Sequence, residues 1–312
     1  MSPLSFAGVN ASVPLPFTED GAPDFEGFER YLAWLEGQGV AAITVNGDTG
    51  EGAHLDREER LAVVRAARRA VGDRLGVVSG LIAAHTDQAV ALAHELGEAG
   101  ADGLLVFSPP AFTGDPLPDE LVVAYFDALG EVGLPLVAFN LSPRLGGRVL
   151  SPSALRRLSD GGLIAALKEA SFDAVAYIAS RDAVRSSTRP VAFLSGCDNF
   201  IYESLVLGAD GCLLGFSSLA AAETVRLLDL VKQREFDAAE GLNRECIAPL
   251  ASAMFASPMR DSRARIKHGL SLLGLTDTTD VRPPLRPLGP EGRKAMEEAM
   301  QRAGMLAGAV AR

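Results

Sequence analysis

Apolar residues gather along this chain in short unbroken runs, and between the runs their spacing opens to three and four. Eight runs stand out, at residues 8–13, 41–46, 76–80, 103–107, 136–140, 163–168, 191–195 and 212–215. A short run without polar alternation suits a parallel strand covered on both faces. The stretches between them carry helix starts: Asp24 ahead of Phe25, Phe28, Leu32 and Leu35; Asp56 with Glu59 as a capping box; Thr86; Ser151 before Pro152; and Asn199. Three segments echo one another, because residues 39–45, 100–106 and 208–214 each follow a helical pattern, begin with glycine and enter an apolar run. Glycine readily takes the left-handed backbone beyond a helix end, so each echo predicts a helix stop feeding a strand.

Strand and helix thus alternate eight times, which predicts a (β/α)8 TIM barrel over residues 1–222. An open doubly wound sheet commonly stops at about five or six strands and fits the count less well. Beyond residue 222 the strand signals cease. Residues 227–231, 236–242, 247–255 and 294–305 read as helices, with a breaker-rich segment at 282–290. The expectation is a C-terminal helical region over 223–312, packed against the outside of the barrel or used in assembly.

Composition narrows the function. Hydrophobic residues make up 48% and charged residues 22% of 312, enough for a large core and far from a disordered chain. Net charge is −11, and the 29 lysines and arginines are scattered singly or in pairs such as Arg68 and Arg69, so nucleic acid is not an expected partner. No apolar stretch reaches the roughly 18 residues that span a bilayer, and nothing basic precedes the first apolar residues, so neither a membrane partner nor a secretory signal is expected. Cys197, Cys212 and Cys246 form no C-x-x-C pair, which points to a reducing, cytoplasmic setting. His54, His85, His94 and His268 lack metal-ligand spacing, and Gly47, Gly50 and Gly52 do not form a dinucleotide fingerprint. No metal and no cofactor are expected.

In such a barrel the chemistry sits at the C-terminal ends of the strands. One residue there stands out. The chain has four lysines against 25 arginines, and Lys168 is the only lysine before Lys232, closing the apolar run that begins at Leu163. Burial lowers the pKa of a lysine, and a neutral amine attacks a ketone to form a Schiff base. The competing reading is a lysine paired with the adjoining Glu169 or with a strand-end carboxylate. Cys197, without a histidine partner, is not an expected nucleophile.

Around that lysine the chain resembles the dihydrodipicolinate synthase and N-acetylneuraminate lyase family of class I aldolases. The likeness runs over nearly the whole chain: Pro16 and Phe17; Gly47, Asp48, Thr49, Gly50 and Glu51, followed by Leu55 and by Glu58, Glu59 and Arg60; Gly80; Ser108, Pro109 and Pro110; Phe139 and Asn140 with Arg144 and Gly146; Lys168 to Ser171; Ser195 to Asp198; and Gly208 to Gly211. The resemblance implies that Lys168 forms a Schiff base with pyruvate or another 2-keto acid. It also implies that the turn from Gly47 to Gly50 binds the keto-acid carboxylate through its amides and the Thr49 hydroxyl. Arg144 would hold a carboxylate or hydroxyl of the second substrate, and Phe139, Gly196 and Leu213 would line the pocket.

Three positions depart from the family's pattern. Phe139 and Ala111 stand where tyrosines of the proton relay are usual, and Asp48 where a small residue is usual. Asp48 is therefore a candidate catalytic residue beside Thr49, taking over proton transfer or recognising a substrate hydroxyl or amine; alternatively it caps its own turn. The leading expectation is a Schiff-base-forming lyase for aldol cleavage, condensation or dehydration, assembled as a homotetramer. The alternatives are a keto-acid-binding protein with little turnover, and a phosphate-substrate barrel isomerase using Gly196 and residues 215–218.

Overall fold

The computed structural model describes residues 4–306. Its strands are β1 (Val9–Ser12), β2 (Ala42–Val45), β3 (Gly76–Leu81), β4 (Gly103–Val106), β5 (Leu136–Leu141), β6 (Ala166–Ala170), β7 (Ala192–Ser195) and β8 (Gly211–Leu214). Each pairs in parallel with its neighbour in the chain, and β8 pairs with β1, closing the barrel. Helices α1 (Phe25–Glu36), α2 (Arg57–Val71), α3 (Thr86–Glu98), α4 (Asp119–Gly130), α5 (Pro152–Gly161), α6 (Ala174–Arg185) and α7 (Ile201–Val206) link successive strands, and α8 (Ala221–Lys232) follows the last. The fold is the (β/α)8 TIM barrel that the alternation predicts.

The local signals mostly act as read. Asp24 accepts from the amide of Gly27, Asp56 and Glu59 form a reciprocal box, and Ser151 accepts from Ala154. Gly39, Gly100 and Gly208 all have left-handed backbone, at φ of +82°, +111° and +101°. Two starts differ. The cap of α3 is His85, whose ring accepts from Gln88, rather than Thr86. The short α7 begins after Phe200 with no side-chain cap, leaving Asn199 outside it.

Side chains alternate between two cores, as a strand period of two requires. Val9, Ala11, Ile43, Val45, Leu104, Leu167, Phe193 and Leu214 face outward under the helices. Val78, Leu105, Val137, Phe139, Ala166, Ala170, Leu194 and Leu213 fill the lumen, with Leu4 and Phe6 packed against them. Glycines at the first positions of β3 and β4 leave room for Leu4, which lies 2.3 Å and 2.9 Å from where their Cβ atoms would be.

The sixth strand departs from its expected bounds. Gly162 turns left-handed at the end of α5, and the Leu163 amide returns to the carbonyl of Leu158, so the first apolar residues of the run belong to the helix stop. The strand then continues through Glu169 to Ala170. Lys168 is consequently central in β6, in register with Phe139 on one side and Leu194 on the other.

After the barrel come α9 (Phe236–Leu242), a π turn at Asn243–Ile247, α10 (Ala248–Met254), α11 (Ser262–Leu272) and α12 (Pro290–Arg302). Helix α11 has no counterpart in the hydrophobic pattern, because its buried face includes Arg265 and Lys267. Both are satisfied internally: Arg265 donates to the carbonyl of Ala256 at 2.7 Å and Lys267 binds Glu51.

Candidate active site

Lys168 rises from β6 into the lumen, and only 7% of it is accessible. Its Nζ lies 4.4 Å from the centroid of the Phe139 ring, which stands edge-on to Phe107. The stem runs against Gly196, where a Cβ would meet its Cε at 2.9 Å and its Cγ at 3.0 Å, so a glycine here makes the passage possible. Burial pulls the ammonium below its usual pKa, opposed by the more distant charges of Asp198 and Asp48.

The adjoining carboxylate does not pair with this lysine. Glu169 points to the opposite face of the strand, where it accepts from Asn140 Nδ2 at 2.8 Å and from the Ser171 amide at 2.7 Å. A second buried lysine shows what pairing looks like in this chain. Lys267 on α11 donates to Glu51 Oε1 at 2.6 Å and to the carbonyl of Asp280 at 2.7 Å, and sits over the Phe17 ring. Lys168, buried to a similar degree, is in none of the ion pairs among the described residues.

The turn after β2 is held from both ends. Asn46, at φ +55°, donates to the Arg60 carbonyl and to Ser79 Oγ, each at 3.0 Å. Glu51, at φ +56° and fully buried, binds Lys267, the amide of Arg282 at 2.9 Å and His54 Nδ1 at 3.2 Å. Between these anchors Gly52 donates to the Gly47 carbonyl, whereas the amides of Thr49 and Gly50 have no acceptor among the described residues. Such paired free amides form an anion-binding concavity.

A cavity of about 350 Å3 opens above Lys168 at the C-terminal end of the strands. Of the residues singled out in the sequence, Lys168, Asp48, Thr49, Phe139, Arg144 and Gly196 line it. Gly47 and Gly50 shape the neighbouring turn without lining the cavity, Leu213 lies in the lumen core, and Ala111 is exposed. Asp48 sits at the rim with its side chain 61% exposed, paired through Oδ1 with Arg263, which also donates Nε to the Asp48 carbonyl at 2.8 Å.

Three contributors are given no role by the sequence reading. Asp198, beyond β7, lines the cavity, and burial pushes its carboxyl up to about 6 against the pull of the Phe216 amide and Lys168. Phe255, Met259, Arg260, Ser262 and Arg263 bring the C-terminal region over the barrel mouth, so that region lines the site as well as packing outside it. Lys267, as described, braces the turn after β2 from behind. Its one sequence signal is the scarcity of lysine.

The remaining polar candidates stay outside the chemistry. His54 is held by Glu51, and Cys197 is fully buried with its thiol pushed up by burial. All three cysteines are unpaired. Among the described residues no helix is long and apolar enough to cross a membrane.

Comparison with known proteins finds relatives across nearly the whole chain. The dihydrodipicolinate synthetase family matches residues 5–303. A 4-hydroxy-tetrahydrodipicolinate synthase of Gluconacetobacter diazotrophicus is 28% identical over 98% of this chain and 100% of its own length. A 4-hydroxy-tetrahydrodipicolinate synthase 1 of Streptomyces coelicolor is 32% identical over 87% of this chain and 85% of its own. Among solved structures, a dihydrodipicolinate synthase from Acinetobacter baumannii complexed with pyruvate superposes with a TM-score of 0.84 at 27% identity, covering 97% of this chain and all of the other. A prophage protein of the dihydrodipicolinic acid synthase family from E. coli K12, also in complex with pyruvate, gives 0.87 at 25%, covering 96% and 99%.

Proposed function

The chain belongs to the dihydrodipicolinate synthetase family, and on that premise we propose that it is a class I aldolase-type lyase in which Lys168 forms a Schiff base with pyruvate or a related 2-keto acid. The observation that carries the reading is the contrast between two buried lysines. Lys267 donates to two partners; Lys168 has no hydrogen-bond or ion-pair partner among the described residues and faces a cavity large enough for a small acid.

The steps follow from the groups in place. The carboxylate of the keto acid binds the free amides of Thr49 and Gly50 and the Thr49 hydroxyl, which sets the keto carbon towards Nζ. Desolvation keeps a usable fraction of the amine neutral, and its lone pair attacks that carbon. Loss of water gives an iminium, which withdraws electrons from the adjacent carbon and permits carbon–carbon bond formation, cleavage or dehydration there.

The mouth selects a partially anionic second substrate. Arg144, Arg260 and Arg263 line it in a protein whose net charge is −11, and Asp48 offsets only Arg263. Arg144 is the group assigned to a carboxylate or hydroxyl of that substrate. A phosphate isomerase would have no use for an unpaired lysine at the floor of this cavity, and a mere keto-acid binder would not need Asp198 in the same lining. Assembly as a homotetramer belongs to the same proposal.

The reading is tested by incubating the protein with pyruvate in D2O and following the methyl protons by NMR. Enamine formation through Lys168 exchanges them with solvent. Exchange by the wild type and none by Lys168→Ala is expected; equal exchange by the two proteins overturns the assignment.

A further inference from the structure

Imine chemistry needs protons delivered and removed at the reacting atoms, and the cavity lining contains neither tyrosine nor histidine. Phe139, in register with Lys168, brings a ring with no hydroxyl. Apart from the arginines, the ionisable side chains of the lining are Lys168 itself and two carboxyl groups, Asp48 and Asp198. Asp48 is at the exposed rim and engaged by Arg263. Asp198 lines the same cavity and is in no ion pair among the described residues. Its Oδ1 accepts the Phe216 amide at 2.8 Å. Its Oδ2 lies across Gly215 from Thr49, since a methyl in place of the glycine hydrogen would sit 3.6 Å from Oδ2 and 3.0 Å from Thr49 Oγ1.

Building on the Schiff-base reading, we propose that Asp198 is the catalytic acid and base of this site, carrying the proton between the bound keto acid and Lys168. In the reactive form of the pair Asp198 is the carboxylic acid and Lys168 the neutral amine. The Nζ lone pair forms the C–N bond while the carbonyl π electrons move to oxygen. Protons pass from Asp198 to that oxygen and from nitrogen back to Asp198. A second delivery from Asp198 releases the oxygen as water as the nitrogen lone pair closes the C=N bond. The balance is ketone plus amine plus carboxylic acid giving iminium, carboxylate and water. The carboxylate then takes a proton from the carbon next to the iminium, the C–H electrons form the enamine, and the acid is regenerated.

The surroundings suit this cycle. The groups facing Asp198 are the Lys168 amine from β6, the Asp48 carboxylate from the turn after β2, and the Cys197 and Cys212 thiols, which burial keeps protonated. Gly215 and Phe216 supply backbone N–H groups on the side of β8. A carboxyl raised to about 6 holds its proton often enough to donate it, and the cation formed on Lys168 draws it back to the ionised form.

The test compares Asp198→Asn with the wild type. Asparagine keeps an oxygen to accept the Phe216 amide, so the fold is expected to persist, checked by circular dichroism. Methyl-proton exchange of pyruvate is expected to fall by about 10² to 10⁴, the range for loss of a positioned acid or base. Prolonged incubation with pyruvate and borohydride still places the adduct on Lys168, because the amine and the carboxylate-binding turn are untouched. The wild-type exchange rate is expected to rise with pH through about 6, and the variant to lack that limb. Exchange by a folded Asp198→Asn at the wild-type rate overturns the proposal, as does loss of exchange in Asp48→Asn with retention in Asp198→Asn. If the wild type itself neither traps nor exchanges, the Schiff-base reading fails first and this assignment with it.

Discussion

Replacing Glu51 with Gln probes the bracing of the turn after β2 from behind. The two side chains have nearly the same shape, so the variant removes charge while its single amide oxygen can still stand where Oε2 meets the Arg282 amide and His54. What it removes is the counter-charge of Lys267, which is 2% exposed and sits 2.6 Å from Glu51 Oε1. Breaking one partner of a buried pair costs about 3–5 kcal/mol, because the other charge stays behind without compensation. At about 2 °C per kcal/mol for a domain of this size, Tm falls by roughly 6–10 °C at pH 7. The pH dependence gives a sharper signature. Lys267 titrates at about 8 in the folded protein against 10.5 in the free side chain, so between those values the unfolded chain holds more protons and wild-type stability rises with pH. Without Glu51 the folded lysine loses its proton at lower pH still. The two proteins therefore differ most below pH 8, where only the wild type keeps the ion pair, and the gap narrows as pH rises through 8. Thermal melts of both proteins at pH 7 and pH 9.5 measure it. A gap of the same size at both values, or none at pH 7, would refute the pairing argument.

Other perturbations report on the lumen and the assembly. Gly196→Ala places a methyl within 3.0 Å of the Lys168 stem and 2.9 Å from Ala170 Cβ; overpacking of this kind costs about 1–3 kcal/mol, and displacement of the amine lowers pyruvate exchange by about 10²-fold, as NMR exchange and a melt would register. Phe139→Tyr adds a phenol beside Nζ, and because Asp198 already carries the proton it changes exchange by much less than the ~10² gained from a missing acid; a gain of that size would contradict the role of Asp198. Analytical ultracentrifugation is expected to give the mass of a homotetramer, and a monomer under assay conditions would discard that part of the proposal.

Most of the barrel is legible because a strand covered on both faces must be apolar throughout, and the glycines at 39, 100 and 208 mark where helices end. The sixth strand slips because periodicity cannot distinguish the hydrophobic residue that closes a helix from the first residue of a strand. Leu163 is the former, and Glu169 remains in the strand because Asn140 and Ser171 satisfy it. Helix α11 escapes notice for a related reason: its buried arginine and lysine read as a solvent face until their partners, distant in sequence, are known.

The site divides along the same line. Lys168 and the turn containing Thr49 are conspicuous because their residue types are unusual where they stand. Asp48 and Asp198 are both acidic residues just beyond a strand, and the sequence offers no means of choosing between them. The choice depends on which faces the lumen and which meets Arg263, a residue 215 positions away along the chain.

Of the four lysines, Lys168 is the one proposed as a nucleophile. Incubation with pyruvate, reduction with borohydride and peptide mapping by mass spectrometry test it most directly. A single reduced adduct on Lys168, with Lys267 unmodified despite its burial, is expected; an adduct on Lys267, or no adduct at all, overturns the assignment.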